Sequence, residues 1–250
     1  MKHCHFTILC NELPFLKQKM DFLYKNFDQL IFYDLCIACK PMKHSWDGTW
    51  EYLTRYPDPE EKITIIDKLD LRDVEGDNGA SLVEKQKMFR YGSTLVNDDI
   101  DVFWCTDMDE FFNKSLINKV EEILLEDEEV SSIRVNWMNL WRELDIVLDR
   151  PNGWLANRGR KPLTGLFCPP RIARHKPGNV YPHCRIQELG EVFHMDGSDE
   201  LLYHFAWIGN SRVKAKRLHQ PIAPEEFDRW YDEVWEGFET SDVAANYSGY

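Results

Sequence analysis

No glycine-rich loop follows the first apolar segment of this chain; residues 10–14 read Cys-Asn-Glu-Leu-Pro. The glycine phosphate cradle of sugar-phosphate nucleotidyltransferases is therefore missing. Positive charge is also short. Lys and Arg number 30 against 43 Asp and Glu, the net charge is −13 and the pI about 5.1. That balance argues against broad binding of nucleic acid or anionic membranes through phosphate groups. An anionic ligand would need a metal or a local basic patch. No run reaches the roughly 18 apolar residues of a membrane span. The N-terminal apolar run, Phe6 to Cys10, is too short for a signal peptide. These absences lead to the expectation of a cytoplasmic protein, or the soluble part of a trimmed one, with no nucleic-acid partner and no transmembrane segment.

Cysteines number seven and are scattered, which predicts reduced thiols in a reducing compartment. Cys36 and Cys39 have redox or zinc spacing, but no second pair follows and the nearest further ligand is His44. Ordinary buried thiols are the simpler reading. There is no internal repeat and no low-complexity tract.

Apolar and aromatic side chains are plentiful: 43% of the 250 residues are hydrophobic, with 9 Trp and 14 Phe. That suffices for one substantial domain. Phe6 to Cys10 reads as a strand, and Phe15 to Phe27 as a helix with Pro14 in its first turn and Asn11 as its cap. Leu30 to Tyr33 is a second strand ending at Asp34, so a parallel pair with a right-handed crossover is expected. His44 to Pro59 reads as an irregular surface loop with room for one helical turn, and Lys62 to Ile66 as a third strand. Ser81 to Leu95 is a helix opening on a capping box of Ser81 and Glu84. Leu116 to Leu125 is an amphipathic helix, and Ser131 to Trp137 alternates as a strand. From Trp137 to Pro170 the pattern turns irregular, with Trp137, Trp141 and Trp154 among Asn and Arg, a combination suited to sugar rings. Pro170 to Arg174 and Asn179 to Ile186 read as a hairpin, Leu201 to Trp207 as an apolar segment carrying His204, and Phe227 to Phe238 as a helix. The expected organisation is one domain over 1–239, with halves at about 1–130 and 131–239, and a loose tail at 240–250.

The chemistry concentrates in Asp98 to Phe112. Val102 to Cys105 is a short β-prone run, read as a buried central strand of a mostly parallel sheet. Asp107-Met108-Asp109-Glu110 follows at once, where open α/β sheets bind ligands. In extended backbone Asp107 and Asp109 face one way and Met108 the other. Close carboxylates repel unless a cation or a shared proton intervenes. A hard divalent cation is the economical answer. The spelling alone says little. With 22 Asp in 250 residues, chance supplies about two Asp-x-Asp. Asp99-Ile100-Asp101 is a second one, placed before the strand rather than after it and read as solvated.

A strand ending in Asn11-Glu12, a second ending in Asp34 and a third ending in Asp107-Met108-Asp109-Glu110 together resemble the GT-A glycosyltransferases, with an opening like family 2. Glu84, Gln86 and Arg90 ahead of the acidic motif, Arg171-Ile172-Ala173-Arg174, and Tyr203-His204-Phe205-Ala206-Trp207 with following Lys and Arg are similar to the family 17 N-acetylglucosaminyltransferases. Asn11-Glu12 lacks the usual second acid, and no clear Glu-Asp pair marks a base.

The resemblance implies a Rossmann-like α/β three-layer sandwich with a mostly parallel sheet and an irregular acceptor-binding C-terminal part. It implies Mn²⁺ or Mg²⁺ held by Asp107, Asp109 and His204. The donor is a UDP- or GDP-sugar and the acceptor a glycan or glycoconjugate hydroxyl. Asn11, Glu12, Asp34, Gln86 and Arg90 would lie around base and ribose, and Lys214, Lys216 and Arg217 near the diphosphate. The reaction is read as inverting, with Asp196 or Glu188 as base and Glu191 at a similar remove. Glu110 is read as fixing the loop. The alternatives are a non-catalytic carbohydrate-binding protein on a transferase fold and a sugar-phosphate nucleotidyltransferase.

Overall fold

Leu30 and Phe32 pack on one side of their strand, Ile31 and Tyr33 on the other, and all four are buried. A strand covered on both faces lies inside a sheet with helices on both sides. The structure is a computed structural model that describes residues 1–36, 44–66, 80–147, 170–181, 190–195, 201–208, 213–214 and 224–236.

The first half runs β1 (His3–Leu9), α1 (Leu13–Asn26), β2 (Gln29–Asp34), α2 (Thr49–Arg55), β3 (Ile63–Ile66), α3 (Ala80–Ser93) and β4 (Val102–Cys105). There follow β5 (Glu110–Phe111), α4 (Lys114–Glu126), β6 (Val130–Arg134), β7 (Asn136–Val147), β8 (Pro170–Arg174), β9 (Glu191–His194) and β10 (Leu201–Ile208). A helix α5 (Pro224–Trp230) continues into a π-helical turn, Tyr231–Glu236.

The main sheet has the order β3-β2-β1-β4-β8-β6-β9, which puts β4 in the middle. The pairs β3/β2, β2/β1, β1/β4 and β6/β9 are parallel, and only the two pairs made by β8 are antiparallel. A smaller sheet has the order β5-β10-β7. On one face of the main sheet, Val102 and Trp104 meet Leu16, Met20 and Leu23 of α1 and Leu116, Val120 and Ile123 of α4. On the other, Phe103 and Cys105 meet Met88 and Phe89 of α3. Gly92 lets α3 lie on β1; a Cβ there would stand 2.0 Å from the Phe6 ring. This is a three-layer, mostly parallel α/β sandwich of Rossmann-like class.

Several sequence expectations are corrected. β1 begins at His3 rather than Phe6, because His3 and His5 are buried and hydrogen-bonded rather than solvated. Asn11 is not a helix cap. It takes a left-handed backbone, φ 58°, and its Oδ1 accepts from the Trp46 amide. The start of α1 is instead served by the loop before α2: the amides of Asn11, Glu12 and Leu13 donate to Ser45 Oγ, Thr49 Oγ1 and Asp47 Oδ2. The segment after it forms two helical turns in α2, where a loop with one such turn was expected. Residues 136–147 form a twelve-residue strand rather than irregular chain. β8 is no hairpin arm: it inserts between β4 and β6.

The cysteine reading is corrected as well. Cys10 and Cys36 form a disulfide, with Cα atoms 4.8 Å apart. The register Leu9↔Asp34 of the parallel pair β1/β2 delivers both residues to one sheet edge. Zinc or redox chemistry through Cys36 and Cys39 loses its first member to Cys10. The inference from reduced thiols to a reducing compartment lapses too. Cys4 and Cys105 are buried and lie outside this disulfide. Residues 237–250, with the expected tail, and residues 182–186 of the expected second hairpin arm lie outside the described residues.

Candidate functional site

Parallel strands β1, β2 and β4 end at the same sheet edge, and antiparallel β8 begins there. The pairing Trp104↔Ile172 therefore sets Arg171 beside the chain that leaves β4. That chain is Thr106 to Glu110. Met108 is buried at its tip, Asp107 is half-buried, and Asp109 and Glu110 are buried. The stretch is a turn closed by the Glu110 amide on the Asp107 carbonyl, so the expected extended backbone with alternating faces is corrected.

Glu110 closes the loop. Its Oε2 accepts from the Asp107 amide at 3.0 Å, and its own amide donates to the Asp107 carbonyl at 3.1 Å. Arg171 Nη2 then donates to Asp107 Oδ2 at 3.0 Å and to Glu110 Oε1 at 2.6 Å. From the other side Lys19 of α1, only 2% exposed, donates to Thr106 Oγ1 at 3.3 Å, the Asp107 carbonyl at 3.2 Å and the Glu110 carbonyl at 2.5 Å. Its ammonium also lies 4.9 Å from the centre of the Phe112 ring. Burial pushes the Lys19 ammonium down to about 8, against the pull of Glu110, Asp109 and Asp107. Burial likewise pushes the Glu110 carboxyl up, and Arg171 opposes that rise. The repulsion between carboxylates that pointed to a metal is thus relieved in part by two internal cations. Asp107 pairs with Arg171 and keeps its side chain 30% exposed.

The small sheet brings in His204. Antiparallel β10 pairs with β5 in the register His204↔Glu110, and the Phe205 amide donates to the Asp109 carbonyl at 2.9 Å. His204 Nε2 then stands 3.8 Å from Asp109 Oδ2. Two of the three expected metal ligands are therefore adjacent. Among the described residues no three His, Cys, Asp or Glu side chains group as a metal cluster. A carboxylate and an imidazole remain, and Mg²⁺-type cations are commonly held by one or two carboxylates with substrate phosphates and water completing the shell. Asp109 fits that mode, with His204 beside it as a further donor.

The expected nucleotide contacts are less gathered. Asp34 is fully buried and accepts from the Ser45 amide at 3.2 Å and Ser45 Oγ at 2.5 Å, with His44 Nδ1 3.7 Å away. It anchors the loop that caps α1, so its expected role at base and ribose is corrected. Asn11 is bonded to that same loop, and Glu12 stands at the N-terminus of α1. Gln86, half-buried, and Arg90, exposed, lie on α3, across the sheet from Lys19. Lys214 lays its ammonium 4.9 Å from the centre of the Tyr231 ring. Glu188, Asp196, Lys216 and Arg217 lie outside the described residues, as does Trp154.

Sequence reasoning missed Lys19 and His5 and gave Arg171 no role. Lys19 had a signal: it shares the helical stripe of Leu16, Met20 and Leu23, where a charge must be buried and therefore paired.

No family model matches the chain, and no curated protein matches it. Among solved structures, the chain is similar to S. aureus TarS residues 1–349 at 10% identity and a TM-score of 0.48, over 94% of this chain and 73% of that one. A second TarS structure, in complex with UDP-GlcNAc, aligns at 13% identity and a TM-score of 0.39, over 56% of this chain and 35% of that one. At these scores the likeness carries no argument about activity, and the site stands on its own geometry.

Proposed function

We propose that this chain is a metal-dependent glycosyltransferase that moves a sugar from a nucleotide diphosphate donor to a hydroxyl acceptor with inversion. The observation that carries the reading is the meeting of Asp109 and His204, 3.8 Å apart, at the C-terminal end of the central strand. That edge is where α/β sheets of this kind bind ligands. Mn²⁺ or Mg²⁺ bound there would supply Lewis-acid neutralisation of a diphosphate leaving group. Asp109 and His204 would hold it. Asp107, oriented by Arg171, completes the acidic wall toward the ribose or the hydration shell. Glu110 keeps the loop in register.

In the reaction the acceptor oxygen forms a bond to the anomeric carbon as the bond from that carbon to the diphosphate oxygen breaks. A carboxylate, Asp196 or Glu188, takes the hydroxyl proton, and the nucleoside diphosphate leaves with the electron pair.

The test is a calorimetric or thermal-shift panel of UDP- and GDP-sugars with and without Mn²⁺, headed by UDP-GlcNAc. The expected result is binding that requires Mn²⁺ in the wild type and is lost in Asp109→Ala. Equal saccharide binding with and without metal would instead identify a carbohydrate-binding protein and reject the transferase reading.

A further inference from the structure

Beneath the acidic loop lies a polar chain that the proposed reaction does not use. Lys19 is buried and its three ammonium protons meet three acceptors: Thr106 Oγ1 and the carbonyls of Asp107 and Glu110. Thr106 Oγ1 is also 2.7 Å from Nε2 of His5, which is fully buried on β1. The hydroxyl has one proton and two lone pairs; with Lys19 donating to it, the chain runs onward when that proton goes to His5. Nε2 is then the bare acceptor and His5 the neutral Nδ1–H tautomer, with Nδ1 lacking a hydrogen-bond partner among the described residues. Burial, with the Lys19 charge second, pushes the His5 ring well below its ordinary value, in keeping with a neutral ring.

We propose that Lys19 is a positioning residue. Its ammonium clamps the carbonyls at both ends of the loop and so holds Asp109 against His204. It does this as the head of a directed chain, Lys19 to Thr106 to His5. The strut deepens the site described above; its link to donor binding rests on the transferase reading, while its structural part does not. Two carbonyls three residues apart on one cation fix the curvature of Asp107 to Glu110. That curvature turns the Asp109 carboxylate toward β10. No metal and no substrate are needed for this part.

The experiment is long-range ¹H–¹⁵N NMR of the histidine rings in the full chain at pH 7, with His5→Gln and His204→Gln for assignment. The wild type is expected to show His5 as the Nδ1–H tautomer. In Lys19→Met, Thr106 loses its incoming donor. The His5 ring then shifts toward Nε2–H, and the His204 signals move because the loop relaxes. Should Lys19→Met fail to fold, Thr106→Val serves: His5 shifts toward Nε2–H while His204 stays as in the wild type. An Nε2–H ring in the wild type overturns the proposal. So does a variant, either Lys19→Met or Thr106→Val, that leaves the His5 tautomer unchanged. In parallel, Lys19→Met should weaken Mn²⁺-dependent UDP-GlcNAc binding by roughly 10- to 100-fold, the usual cost of losing an outer-shell support. A wild type that binds no nucleotide sugar rejects the transferase reading, and the NMR result still decides the strut.

Discussion

One strand separates two copies of the same three-letter pattern. Asp99-Ile100-Asp101 stands before β4, and Asp107-Met108-Asp109 after it. In both, the middle residue is buried and an acid stands on either side. There the likeness ends. At the start of the strand, the Asp99 side chain is 61% exposed and pairs with Lys2 at 2.5 Å, and Asp101 accepts from the Lys2 amide. At the end, the Asp109 side chain is 7% exposed and faces His204, while Asp107 is tied to Arg171. Water screens the first pair; protein dipoles and two buried cations surround the second. The chemistry comes from which end of a parallel strand the acids occupy, because the sheet brings Arg171, His204 and Lys19 to its C-terminal end.

The largest effect that would sharpen this contrast is on stability. Arg171→Ala leaves Glu110 buried without its guanidinium, and loss of one partner of a buried pair costs about 3–5 kcal/mol. Urea melts should show that loss. Equal stability of variant and wild type would mean that the acid-rich end is solvated like the other. Next comes binding. Asp109→Ala is expected to remove Mn²⁺-dependent UDP-GlcNAc binding by more than the roughly 10- to 100-fold of an outer-shell loss, with Asp101→Ala as the silent counterpart in the same titration.

Acid gives a smaller and graded effect on the buried side of the strand. Burial holds the His3 and His5 rings below the ordinary value of 6.5. The unfolded chain therefore takes up protons first. Their contribution to stability is fully present above about pH 6.5 and falls as pH drops, with a slope of up to about 1.4 kcal/mol per pH unit for each ring. The raised Glu110 carboxyl acts in the opposite sense over the same range, so the measurement is the difference between wild type and His5→Gln: the gap in melting temperature should change between pH 7 and pH 5, and a constant gap would contradict the assignment. Smallest of all, Asp99→Asn should leave the melting temperature unchanged, because the ion pair it breaks is open to solvent. A clear drop would erase the distinction between the two ends.

Much of the fold was legible because its signals are local. The four-residue run Val102 to Cys105 and the acids after it announce a buried strand and an edge. Helix α4 followed from its stripe of Leu116, Ile117, Val120, Ile123 and Leu124, all buried. His3 and His5 were not legible as strand, since a buried histidine is spelled like a solvated one until its partner is known. Cys10 and Cys36 were likewise opaque: their pairing depends on the register of two strands and not on spacing in the chain. Asp34 looked like a ligand contact because it ends a strand, yet Ser45 claims its carboxylate.

Alternation and composition alone determined that this chain would build a sheet buried on both faces and would place acids at the end of its middle strand. Only the tertiary structure decided what those acids face. Strand order inserted β8 beside β4 and so brought in Arg171. Pairing of β5 with β10 brought in His204, and packing of α1 brought in Lys19. A carboxylate's neighbours are set by contacts between residues far apart in sequence, and a local pattern carries no record of them.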